Sequence, residues 1–444
     1  MDISYNQALA LLSMLGLFVS MATGFPIAYT MIFSGLVFGY LAIGKIVFFL
    51  LTQQFYMVMA DPILGAIPLF LFMGYLLDGA GLMDRLFRAF QMLFARLPAS
   101  LYAAVSVTGT IFACATGIVG SAVNLLCVMA EPSLRRSGYD IRMSAGIIAA
   151  SGTLGIIIPP SVMLIVLGPI VGIPVTAIFA GALIPGLVLS LIYLTYTLIR
   201  CALNPKLGPP LPREMWPTSY LLVLKELFIG VIPLVILIAC VLGSILAGIA
   251  TPTEAAACGA FGALGLVIVY RRLTWAIFSR ALYKTAVLAA MILVLIAACN
   301  FFGAVFARLG GASYLSGLLM NLDLSPWATL VLILLSLFLI GWALEWIPLI
   351  LVFVPLTLPA VQALGFDMLW YAILVALILQ TSWMTPPVAL SGYFIKGSIP
   401  HWDLMDIYKG MLEYVGCQIF GIIVFMFFPA IILWLPVHLG LWRL

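Results

Sequence analysis

The chain has 444 residues, 65% of them hydrophobic and only 8% charged, with a formal net charge of +4. A soluble domain carries roughly 25% charged residues, so most of this chain cannot sit in water. An integral membrane protein is implied, with the lipid bilayer as its surroundings and no nucleic acid among its partners.

Met1-Asp2-Ile-Ser-Tyr-Asn holds no basic residue ahead of the first apolar run, so residues 7–22 read as a retained helix rather than a cleaved signal peptide. Runs near 26–43, 62–80, 141–172 and 175–199 follow, each approaching or exceeding the ~20 residues a membrane span needs. Residues 201–226 form a polar joint with Pro205, Pro209, Pro210, Pro212 and Pro217, expected to be a cytoplasmic linker. Apolar runs then recur near 228–247, 252–270, 285–305, 367–396 and 412–434, while 45–60 and 310–321 are shorter and read as interfacial helices. The seven cysteines are scattered singly, mostly within apolar runs, without ligand spacing, so neither a disulfide framework nor a metal site is expected.

Two regions are apolar but interrupted. Residues 99–131 carry Thr116-Gly117 and Gly120-Ser121 midway; residues 326–361 carry Gly341, Glu345 and Pro348. Each reads as a re-entrant hairpin of two short helices, or alternatively as one kinked span. Unpaired backbone at a hairpin tip is tolerable only when buried in protein or facing a wet cavity.

The chain also repeats itself. Ser151-Gly-Thr-Leu-Gly-Ile-Ile-Ile-Pro159-Pro160-Ser161 is echoed by Gln380-Thr-Ser-Trp-Met-Thr-Pro386-Pro387-Val388; the proline pairs stand 227 residues apart. Pro132…Gly138-Tyr139-Asp140 is echoed by Pro359…Gly365-Phe366-Asp367 at the same offset. Paired segments with Pro and Gly inside apolar runs point to a secondary transporter with broken helices near the midplane. Residues 1–200 and 227–444 are then two repeats, each with a hairpin and a broken helix (141–172 and 367–396). The base of the first hairpin holds Arg135, Arg136 and Arg142, and the matching base of the second, 362–369, holds no Lys or Arg. The positive-inside rule makes the first base cytoplasmic and the second periplasmic. The repeats are therefore expected to be inverted, with both termini periplasmic. This topology puts all but Lys45, Arg308 and Arg443 of the 19 basic residues inside.

No enzyme constellation appears: His401 and His438 are the only histidines, and there is no GxSxG, HExxH or P-loop. Without a nucleotide site on this chain, energy must come from an ion gradient or another subunit. Helix breaks leave carbonyls and N–H groups unpaired; carbonyl ends and hydroxyls suit Na+, and N-terminal ends suit a carboxylate. The expected Na+ ligands are Thr116, Gly117, Ser121, Asn124, Gly152, Thr153 and Gly155 in the first half, and Gly341, Glu345, Thr381, Ser382 and Thr385 in the second. Ser161, Pro160, Pro387 and Val388 are expected to face the substrate. Pro159 and Pro386 are expected to open the second half-helices. The same Ser and Thr residues could instead serve helix packing. Glu345, an acid at depth, reads equally as an ion-site or gating group, and Glu254, just after Thr251-Pro252, as a structural cap.

Gly152-Thr-Leu-Gly-Ile-Ile-Ile-Pro-Pro-Ser161, Gly181-Ala-Leu-Ile-Pro-Gly186, Gly248-Ile-Ala-Thr-Pro-Thr-Glu-Ala-Ala-Ala257, Thr385-Pro-Pro-Val388 and Ile67-Pro-Leu-Phe70 with Met73-Gly74 resemble the large membrane subunit of TRAP transporters (tripartite ATP-independent periplasmic transporters, DctM-like). The resemblance runs over essentially the whole chain. It implies a bacterial or archaeal inner-membrane protein coupling uptake of an organic acid to Na+, with no cofactor besides that ion. It further implies a small four-helix membrane subunit, a periplasmic substrate-binding protein and an elevator motion. Glu345 stands where the family commonly has Asp, and Ala389 where it commonly has Gly. The tail Trp402–Met411 looks like the branch handling 2-oxo acids, mannitol and aromatic acids. Two other readings stay open: a stand-alone Na+-coupled dicarboxylate or anion carrier, and a structural or channel-like subunit of a membrane complex.

Overall fold

A computed structural model describes residues 4–211, 216–217, 219–320, 324–342, 344–387 and 389–443, and every regular element among them is a helix. Val388 and linker residues 212–215 and 218 lie outside the described residues. The first half runs α1 (Tyr5–Ala22), α2 (Ile27–Ile43), α3 (Ile46–Ala60), α4 (Ala66–Gly79), α5 (Leu82–Phe94), α6 (Ser100–Thr116), α7 (Val119–Arg136), α8 (Ile141–Thr153), α9 (Val162–Val171) and α10 (Val175–Leu203). The second runs α11 (Tyr220–Gly230), α12 (Ile232–Leu246), α13 (Pro252–Val269), α14 (Trp275–Arg308), α15 (Gly311–Met320) and α16 (Pro326–Ile340). After these come α17 (Trp346–Pro348) and α18 (Val354–Ala363), joined by a π-wound turn into one continuous helix, Trp346–Ala363. The chain ends with α19 (Met368–Ser382), α20 (Leu390–Ser398), α21 (Leu404–Phe427) and α22 (Ala430–His438).

The sequence repeat is visible as repeated structure. Helices α7 and α17–α18 start and stop 227 residues apart, α8 and α19 start 227 apart, and the peptide bonds Pro159–Pro160 and Pro386–Pro387 are both cis. Each base is built alike: Gly138 and Gly365 take positive φ, and the Asp140 and Asp367 carboxylates cap the next helix by accepting from Met143 N (2.9 Å) and Trp370 N (2.8 Å).

Two groups of helices pack separately. In one, α14 packs on α2, α3 and α4, while α13 joins α4 to α12. In the other, α8 sits among α6, α7 and α21, and α7 packs on α20, α16 on α19, and α10 on α6 and α22. The groups meet through α4 and α14, through α5, which packs on both α6 and α11, and through α12 against α6 and α10. At one end, Arg142–Asp406 (2.8 Å) and Arg200–Glu413 (3.0 Å) tie the first half to α21. Large apolar side chains such as Phe49, Phe228 and Phe261 point outward, as suits a surface in lipid.

Among the described residues, six helices are long and apolar enough to cross a membrane, and the pair α4–α5, bent by 64°, would make a seventh. The ten expected runs do not all become full-length helices, because several are interrupted. The run 141–172 splits into helices of 13 and 10 residues and 367–396 into 15 and 9. The run 412–434 is cut at Phe428-Pro429. The run 285–305 is instead the end of a 34-residue helix.

Candidate transport site

At the first hairpin tip α6 ends on Gly117, whose φ of +60° only glycine adopts without strain. A Cβ there would lie 2.8 Å from the Pro160 carbonyl and 3.4 Å from Ser161 Cα, so the tip is pressed onto the first break. Gly152 admits the Val123 side chain of α7, and Gly155 lies against Ala113 and Gly117. The second half repeats this: Gly341 lies against Ser382, which stands 227 residues after Gly155. The two breaks also meet each other, since Gln380 Nε2 donates to Thr153 Oγ1 at 3.3 Å, again 227 residues apart. Thr153 and Gln380 hold matching positions in the repeated segments, so each break touches its own counterpart.

The structure therefore brings Thr116, Gly117, Gly152, Thr153, Gly155, Pro160 and Ser161 together, and Gly341 with Ser382. The hydroxyls of Thr116, Thr153 and Ser382 each donate to a carbonyl of their own helix, at 3.1, 2.9 and 2.6 Å, and Thr381 does likewise; Thr385, past the end of α19, donates back to the Thr381 carbonyl at 2.7 Å. Each oxygen keeps lone pairs for a further donor or a cation. Ser151 Oγ and Gln380 Oε1 are buried at the breaks with no hydrogen-bond partner, which also suits a hard cation. Ser121 and Asn124 are not brought to the break: Ser121 Oγ donates to Asp78 at 3.3 Å, and Asn124 Oδ1 accepts from Ser398 at 2.9 Å.

The proline pairs do not open the second half-helices. Both lie within the breaks, because α9 begins at Val162 and α20 at Leu390. Proline disfavours helical backbone in the residue before it, and a pair extends the break rather than starting the next helix. Pro387 is exposed. Glu254 forms a capping box with Thr251: its Oε2 accepts from Thr251 N at 2.8 Å, and its own N donates back to Thr251 Oγ1 at 3.3 Å.

A cavity of about 100 Å³ lies between the two hairpin tips, lined by Gly117–Gly120, Ser161–Met163, Glu345–Ile347 and Trp383. Three helix N-termini converge on it, those of α7, α9 and α17–α18, and none has a side-chain capping bond. Ser161 spends its hydroxyl on the Ile156 carbonyl instead, at 2.6 Å. The positive ends of three helices thus face a largely apolar cavity. Glu345 occupies the capping position of the third helix and lines the same cavity. Sequence reasoning missed Trp383, which stacks on Phe394 with ring centroids 6.4 Å apart; its only signal was an aromatic residue inside a break.

Helices in pairs, breaks packed on hairpin tips and a small cavity faced by helix N-termini in an apolar helical protein fit a polytopic membrane permease. Residues 14–431 match the family described as the DctM component of tripartite ATP-independent periplasmic transporters, and the chain belongs to that family. It is 28% identical to a C4-dicarboxylate TRAP large permease protein of Pseudomonas aeruginosa, over 85% of this chain and 86% of that one. It is also 28% identical to the sialic acid large permease protein of Vibrio cholerae, over 93% and 95%. With the 2,3-diketo-L-gulonate large permease protein of Escherichia coli it shares 25%, over 96% and 98%. The fold is shared with the Alcanivorax borkumensis YdaH transporter, at a TM-score of 0.62 and 16% identity over 90% of this chain and 91% of that one.

Proposed function

We propose that this chain is the permease subunit of a Na+-coupled uptake system for an organic acid, set in the inner membrane with both termini periplasmic. Its partners would be a small four-helix membrane subunit and a periplasmic binding protein that delivers the acid. The observation that carries the reading is the convergence of three uncapped helix N-termini on one cavity between the hairpin tips. A substrate carboxylate would sit there, and Na+ would take the hydroxyl and carbonyl oxygens of the two breaks.

Glu345 supplies a reason for coupling. Its carboxylate shares the cavity with the incoming anion, and two like charges at close range repel. A Na+ ion at the second break balances Glu345 and admits the substrate, so neither enters without the other. The alternating step would be an elevator movement of the hairpins and broken helices against α2–α4 and α12–α14.

The test is reconstitution in liposomes with and without the small subunit and binding protein. Uptake driven by a Na+ gradient is expected only from the assembled system. Robust uptake by the single chain would replace this reading with a stand-alone anion carrier, and no Na+ dependence in any combination would sink it.

A further inference from the structure

Next to the transport cavity lies a larger one, of about 500 Å³, bounded by α4, α7 and α14 and lined by Tyr75, Asp78, Ser121, Asn124, Tyr283 and Lys284 among others. Leu288 and Met291 line both cavities, so the two adjoin. Its two charged residues lie on helix segments that adjoin basic ones. Asp78 is in the last turn of α4, shortly before Arg85 and Arg88. Lys284 is in the third turn of α14, ~13 Å along the helix from an N-terminus that follows Arg271 and Arg272.

The two charges share this cavity without a direct ion pair. Asp78 is held by the Ser121 hydroxyl at 3.3 Å, while the Lys284 ammonium rests 5.4 Å from the centre of the Tyr75 ring. They remain close enough to act on each other through space. A contact pair would be closed to a third charge; held apart, the ammonium stays open to an anion, and the carboxylate keeps it from being uncompensated when no anion is there. The Ser121–Asp78 bond also joins the hairpin arm α7 to α4, across the boundary between the two helix groups.

We propose that this cavity is the cytoplasmic release vestibule, in which Lys284 receives the substrate's carboxylate and Asp78 takes over as its counter-charge when the anion leaves. The inference rests on the chain being an organic-acid permease and adds a second anion station with named residues. Exchange of counter-ions keeps Lys284 from trapping the substrate.

The experiment uses the full chain assembled with its partner subunits in inside-out vesicles. Cys240 and Cys258, the exposed native thiols, are replaced by Ser, and Val128→Cys is the reporter on the vestibule wall. The ratio of its modification rates by anionic and cationic methanethiosulfonates reads the local charge, and succinate in the millimolar range serves as the competing anion. Lys284→Gln should lower the anion-to-cation ratio about threefold to tenfold, as expected for one charge removed nearby in a partly aqueous cavity, and abolish succinate protection. Asp78→Asn should raise the ratio and strengthen protection, and Lys284→Arg should preserve both. An unchanged ratio in Lys284→Gln, or no succinate protection in the parent, would overturn the assignment. Na+-driven uptake is measured in parallel: its absence with a Lys284-dependent ratio sinks the transport reading alone, and its presence with an unchanged ratio sinks the vestibule alone.

Discussion

In the first half the break between α8 and α9 is mostly apolar, with Ser151 and Thr153 in the turn before it and Ser161 at its end, and every residue from Met143 to Gly168 is buried. In the second half Gln380, Thr381 and Ser382 close α19, Thr385 lies in the break that follows, and the chain surfaces at Pro387. Both have a proline pair at the same place, and both press on a hairpin tip. Both breaks therefore have hydroxyls beside them, but the first lies wholly in the interior and the second reaches the surface. One backbone device thus occurs in two settings, and substitutions should tell the halves apart.

The sharpest test of the comparison is whether the halves are inverted at all. Gln362→Cys, at the exposed base of the second hairpin, should be labelled from the periplasm by a membrane-impermeant thiol reagent, and Lys206→Cys should not. Equal labelling of both would mean the halves are not inverted.

Gly117→Val should abolish assembly or transport, since the new side chain needs φ of +60° and meets the Pro160 carbonyl; left-handed backbone alone costs ~1–2 kcal/mol in a non-glycine residue. Gly341→Ala, at a φ of −60° with its Cβ 3.1 Å from that of Ser382, should leave a folded protein with reduced uptake. Expression and transport assays of the pair measure how much tighter the first tip is.

Glu345→Gln should raise the Na+ concentration for half-maximal uptake about tenfold, equivalent to ~1.4 kcal/mol of lost charge interaction; an unaltered Na+ curve would remove Glu345 from coupling. Ser382→Ala and Thr385→Val should shift the same curve by ~1 kcal/mol each. Thr153→Val should shift it less, because the unpartnered Ser151 hydroxyl remains beside the first break to serve in its place. Equal shifts in the two halves would erase the distinction. Glu254→Ala should leave Na+ dependence intact and cost ~1 kcal/mol of helix-cap stability, visible as a lower melting temperature.

The interrupted runs were legible because Pro and Gly mark breaks directly: 99–131 became α6 and α7 turning at Gly117, and 326–361 became α16 and α17–α18. Helix α5 was not read as an element, since Arg85 and Arg88 served only as orientation signals although its apolar residues face one side. The full length of α14 was hidden by Arg280 and Lys284, charges that a helix tolerates near a membrane face by extending long stems. Ser121 and Asn124 were placed at the break by proximity in sequence. On α7, however, they point away from Val123, the residue that meets Gly152, and so reach Asp78 and Ser398. Asp78 and Lys284 come together only through the packing of α4 on α14, which no local pattern announces.

The hydrogen bond from Gln380 to Thr153 joins matching positions of the repeated segments through unlike side chains. In a symmetric pair of identical half-length chains, the position facing the axis would face itself, and only a self-complementary residue could serve there. An amide donating to a hydroxyl is a pairing of unlike partners. In a single chain that carries both copies of the segment, such a position can hold different residues on its two sides, as Thr153 and Gln380 do.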